Sequence, residues 1–80
     1  MIEELSQVVL TEDLPEHHLE AGDIGTVVLV HRSAEEPSAA AGYEVEFTAL
    51  DGETLTVTSV RPEQVRLARP REVPHARALG

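Results

Sequence analysis

Apolar residues recur at every second position through two stretches of the chain. Tyr43, Val45 and Phe47 alternate with Glu44 and Glu46, and Leu55 and Val57 alternate with Thr54, Thr56 and Thr58. A period of two sends successive side chains to opposite faces of a β-strand. The pattern therefore predicts strands over residues 43–48 and 54–59, with Leu55 and Val57 turned inward and the three threonines outward. Leu50-Asp51-Gly52-Glu53 lies between them. Asp-Gly flanked by alternating runs signals a hairpin whose tight turn takes positive φ at both central residues. Gln7-Val8-Val9-Leu10 reads as a short strand. Thr26 to Val30 is continuously apolar, as in a strand covered on both faces or bent at a bulge. Arg61-Pro62-Glu63-Gln64 offers one helical turn with proline at its first position. Val65-Arg66-Leu67 then alternates briefly as a last strand.

No window sustains the i, i+3, i+4 apolar repeat of a packed helix. Thr11 to Asp23 is a long acidic loop broken by Pro15, and His31 to Gly42 is a small, polar and mobile one. Residues 68–80 hold Pro70, Pro74 and three arginines with few apolar side chains, the composition of a disordered tail. The expectation is an all-β domain over residues 1–67 followed by that tail. Five short strands with a single 3-10 turn before the last match an SH3-like small barrel. Closing the sheet on itself removes most exposed edges.

Charge divides the chain unevenly. Residues 1–60 carry 13 acids against the single base Arg32, a net −12, while residues 61–80 carry five arginines against Glu63 and Glu72, a net +3, and the whole is −9. An acidic body repels phosphate, which works against nucleic acid and favours a basic protein partner. The 80 residues contain no cysteine, which excludes disulfides and thiolate metal sites and makes the cytoplasm the expected compartment. No run approaches the length of a membrane helix, and Met1-Ile2-Glu3-Glu4 lacks the basic-then-apolar pattern of a leader. A domain this small gains stability from a protein partner or from self-association.

Three stretches together carry a resemblance: Thr11-Glu12-Asp13-Leu14-Pro15-Glu16, Gly22-Asp23-Ile24-Gly25-Thr26-Val27-Val28 and Tyr43-Glu44-Val45-Glu46-Phe47. Over about residues 2–67 the chain resembles small bacterial proteins grouped as the domain of unknown function 4926 family. That resemblance implies a stand-alone SH3-like barrel and carries no reaction, ligand or cofactor. More distantly, Gly-Asp-x-Gly-Thr-Val followed by Tyr-x-Val-x-Phe is similar to the barrels of electron-transport accessory subunits and of the nitrile hydratase β chain, which dock in larger enzymes. The glycine-rich part is also similar to the KOW motif of ribosomal and transcription proteins.

Candidate chemistry is sparse. His17 and His18, flanked by Asp13, Glu16 and Glu20, have the ligand types of a divalent-metal site, but neighbouring side chains in an extended loop point apart and no third ligand has a recognisable spacing. The favoured reading of that loop is solvated, without metal or other cofactor. Ser6, Ser33, Ser38 and Ser59 lie in no nucleophile motif, and Glu44 and Glu46 read as a solvent face. The expectation is a non-enzymatic accessory or interaction domain that docks on a larger, basic protein. Leu14, Pro15, His17, His18 and Leu19 form the candidate interface, an apolar patch with an acidic rim. The alternative is a KOW-like module that reaches RNA or the ribosome through Arg66, Arg69, Arg71 and Arg77.

Overall fold

The computed structural model describes residues 1–78. Its strands are β1 (Gln7–Leu10), β2 (Ile24–Arg32), β3 (Ala40–Thr48), β4 (Thr54–Val60) and β5 (Val65–Leu67), and two 3-10 turns, Pro15–His17 and Pro62–Gln64, interrupt them. All neighbours run antiparallel in a five-stranded sheet of order β4-β3-β2-β1-β5. The all-β expectation with five strands holds. The closed barrel does not: β4 and β5 lie at opposite edges of the order and do not pair. β5 is three residues long and its ladder is taken up by β1, with Val8 opposite Leu67 and Leu10 opposite Val65. Its other side is left as a short free edge, facing no strand among the described residues.

One face of the sheet holds the core. Val8, Leu10, Val27, Tyr43, Val45, Phe47, Val60 and Val65 pack there with Leu14 and Leu19 from the acidic loop, and Ile2 and Val30 lie against them. Ile2 donates its backbone N–H to the Tyr43 hydroxyl at 3.1 Å, which ties the start of the chain to β3. Gly25 on β2 is buried because no side chain fits: a Cβ there would stand 2.5 Å from Val45 Cγ1 and 2.9 Å from Phe47 Cε1. Its role is close packing, whereas Gly22 supplies a positive φ of 96° at the end of the acidic loop.

Of the two readings of the apolar run the bulge holds, and two other details differ from the expectation. Val28 sits at a register shift between Val27 and Leu29; the continuous apolar run is bent at a bulge, and Val28 and Leu29 emerge on the exposed side. The 31–42 loop is shorter than expected, because Arg32 pairs with Ala40 and His31 with Gly42, so strand pairing extends through the small residues. At the β3–β4 hairpin Gly52 donates to Ala49 O at 2.9 Å and Ala49 to Glu53 O at 2.8 Å, and Gly52, at 93°, alone takes positive φ there. That is the three-residue connection, a turn followed by a left-handed glycine, and not the two-residue form with two positive φ values.

The inward set of β4 is also the reverse of the expectation. Phe47 faces Thr56, Val45 faces Thr58 and Tyr43 faces Val60. Residues opposite one another in an antiparallel ladder share a face, so Thr56 and Thr58 lie on the core side. Leu55 and Val57 are 39% and 50% exposed on the other.

Candidate docking site

The acidic loop from Thr11 to Asp23 is built, not loose. Leu14 and Leu19 exchange backbone hydrogen bonds, 2.9 Å from Leu14 N to Leu19 O and 3.1 Å in return, and their side chains enter the core. Between them the chain makes the 3-10 turn Pro15–His17, with proline at its start and His18 in the left-handed region at φ 58°. Gly22 N donates to Leu10 O at 2.8 Å and Leu10 N to Asp23 O at 2.9 Å, pinning the far end of the loop back to β1. Two acids brace it internally. Asp13 Oδ1 accepts the Ala21 N–H at 2.9 Å and Asp23 Oδ2 accepts the Glu20 N–H at 2.8 Å.

The candidate interface residues separate on this frame. Leu14 and Leu19 are 6% and 4% exposed, so they anchor the loop in the core. His17 is half buried, its Nε2 within 3.0 Å of the Thr58 hydroxyl on β4. Pro15 and His18 are exposed. The two histidines therefore face different neighbours, and among the described residues no three His, Asp or Glu side chains come together as a metal-holding group.

What occupies the loop is the tail. Arg77 Nε donates to Asp23 Oδ1 at 2.9 Å and its NH2 group to Asp23 Oδ2, a two-pronged grip on one carboxylate. The same NH2 group reaches the His18 carbonyl at 3.0 Å, and NH1 lies 3.5 Å from Glu20 Oε2. Burial alone would raise the Asp23 carboxyl, but hydrogen bonds from Arg77 and the Glu20 amide, with the Arg77 charge, hold it below its ordinary value. The hydrogen bonds to Asp23 in turn raise Arg77 above its own. Asp13, Pro15, His18, Leu19, Glu20, Arg77 and Ala78 line an open depression here. A second tether lies upstream: Arg66 donates to both oxygens of Glu72, at 2.8 and 2.5 Å. The described part of the tail thus carries no helix or strand and follows the surface through two ion pairs.

Sequence reasoning did not find the Arg77–Asp23 seat. The two residues are far apart in the chain, and opposite charge was the only signal. On the outer face of the sheet, Glu44 accepts from the Ser59 hydroxyl and lies 2.7 Å from His31 Nε2 through the same oxygen. These contacts, the Ser59 bond first, lower the Glu44 carboxyl. The hydroxyl is bonded to the carboxylate and not to the imidazole, so this row lacks the base-to-nucleophile contact of a hydrolase.

The fold and the site define a small all-β domain with an acidic, guanidinium-binding loop. Residues 4–67 match the family described as a domain of unknown function (DUF4926), and the chain belongs to that family. No curated protein and no solved structure matches it. No helix among the described residues is long and apolar enough to cross a membrane.

Proposed function

We propose that this protein is a non-enzymatic interaction domain that docks on a larger, basic partner through the loop from Asp13 to Asp23. The observation that carries the reading is the Arg77 seat. One guanidinium there is met by the Asp23 carboxylate, the Glu20 carboxylate and the His18 carbonyl, a donor-accepting set that an arginine of another protein fits equally well. The net −9 of the chain draws such a partner in and gives the encounter a marked salt dependence. Pro15 and His18 supply the exposed surface beside the seat. The strand order, with a 3-10 turn ahead of β5, supports an SH3-like arrangement left open at its edges, and the lack of cysteine supports the cytoplasm as the compartment. The RNA-binding alternative draws less support, since Arg66 and Arg77 are committed to Glu72, Asp23 and Glu20.

The test is a titration of the labelled full chain with an arginine-rich peptide, followed by amide NMR shifts. Shifts centred on Asp13 to Asp23, weakening as salt rises and strengthened in Arg77→Ala, are expected. Absence of any shift in that loop at low salt, in the protein and in Arg77→Ala, refutes the reading.

A further inference from the structure

The two edges of the sheet are defended very differently. β5 is three residues long, and its Arg66 is tied to Glu72. β4 runs for seven residues, Thr-Leu-Thr-Val-Thr-Ser-Val, with no charge, proline or glycine in a chain that is 26% charged. It pairs with β3 on one side only, so alternate N–H and C=O groups point away from the sheet. Short length, lysine and proline are usual protections of an edge, and β4 lacks all three. Its one protection is the bulge at Leu55, where Thr48 pairs with Thr54 but Phe47 with Thr56, and Thr56 to Val60 beyond it are regularly paired. Its sequence is rich in residues that favour pleated pairing.

We infer that β4 is a self-association edge, on which a second copy of this chain pairs antiparallel about a two-fold axis through Val57. In that register Val57 meets its own copy, Thr56 faces Thr58 of the second copy, and Leu55 faces Ser59. Threonine–threonine and aliphatic cross-strand pairs are favourable in antiparallel ladders. Charge selects the second copy as the occupant. Two bodies of net −9 repel wherever their acids face one another, and β4 brings no acid to the contact. The acids one strand behind it are already engaged: Glu46 accepts from the Thr54 hydroxyl at 2.7 Å, and Glu44 from Ser59. A basic partner would find no counter-charge on this strand. Pairing also brings the exposed Leu55 and Val57 of the two copies together on the outer face. His17 of the acidic loop touches Thr58 from the core side, but the Arg77 seat at Asp23 and Glu20 is not on this strand, so the docking reading and this one are tested separately.

The experiment is sedimentation velocity from micromolar to millimolar protein, at low and high salt. A monomer–dimer equilibrium without larger species is expected, shifting toward dimer as salt screens the like-charged bodies; arginine-peptide docking shifts the opposite way. Val57→Lys places two like charges at the axis and is expected to weaken the dimer by about tenfold or more, while Leu50→Lys, at the exposed hairpin tip, leaves it unchanged. Circular dichroism checks that both fold. Independently, Val57→Cys introduces the chain's sole thiol at the two-fold axis, where directly paired backbones lie close enough for a disulfide; oxidation is expected to link it to its copy far faster than it links Leu50→Cys. A monomer at every concentration, a dimer that Val57→Lys leaves intact, or equal cross-linking of the two cysteine variants would each overturn the inference.

Discussion

Phe47 and Leu55 sit on the same hairpin, and their surroundings could hardly differ more. Phe47 is buried against Gly25 and the core valines, while Leu55 stands on the outer face beside Val57 and is substantially exposed. Both are large and apolar, and both lie in alternating segments. The difference teaches that alternation sorts side chains into two sets without saying which set is inside. The inside is fixed by what the neighbouring strand places opposite, and β3 places Phe47 and Val45 opposite Thr56 and Thr58. The inner face is closed by packing; the outer face is left available.

The contrast can be broken most severely from the inside. Phe47→Ala is expected to cost about 3–5 kcal/mol, enough to unfold much of so small a domain, read as loss of the urea transition. Gly25→Ala forces a methyl group into Val45 and Phe47 and should cost about 1–3 kcal/mol, seen as a fall in melting temperature. Gln64→Ala removes the acceptor that holds the Arg61 N–H at 2.8 Å ahead of β5, with an expected loss of about 1 kcal/mol in chemical denaturation. On the outer face, Leu55→Thr should stay within about 0.5 kcal/mol in the same assay. A loss as large as that of the inner substitutions would show the two faces to be equivalent after all.

The smallest effect is one of pH, at the tail. Hydrogen bonds from Arg66, then from the Arg69 amide, hold the Glu72 carboxyl at about 2 against an ordinary 4.5. A depressed carboxyl contributes its tether fully above its ordinary value and loses it as pH falls toward the folded one. Titration of the Glu72 side-chain carbon by NMR should therefore show the Arg66 contact intact at pH 5 and above and released between 4.5 and about 2. An ordinary midpoint near 4.5 would mean that the tail is not held there.

Much of this arrangement was legible in the chain. β1, the start of β4, the Pro62–Gln64 turn and β5 follow from runs of β-branched residues and from proline at a first helical position. The bulge at Val28 was implicit in an apolar run with no polar alternation. The facing of β4 was only half legible. The two-residue turn expected at Asp51-Gly52 sets Phe47 opposite Thr56, but the three-residue turn that forms counts out to Leu55, and the register shift between Phe47 and Thr48 restores Thr56. Leu14 and Leu19 could not be assigned to the core from the sequence, because their burial depends on a backbone bridge closed around a 3-10 turn. The Arg77 seat has no local signature at all. Charge attraction carries no address, and only the folded loop supplies one.

The pairing of β1 with β5 joins segments that lie almost a whole domain apart in the chain, Val8 with Leu67 and Val9 with Arg66. Contacts of such long separation must wait on closure of the intervening loop, which slows folding relative to the local β3–β4 hairpin. β1 finds β2 early, since only the acidic loop separates them, but its other side stays open to chaperones and proteases until β5 has been made.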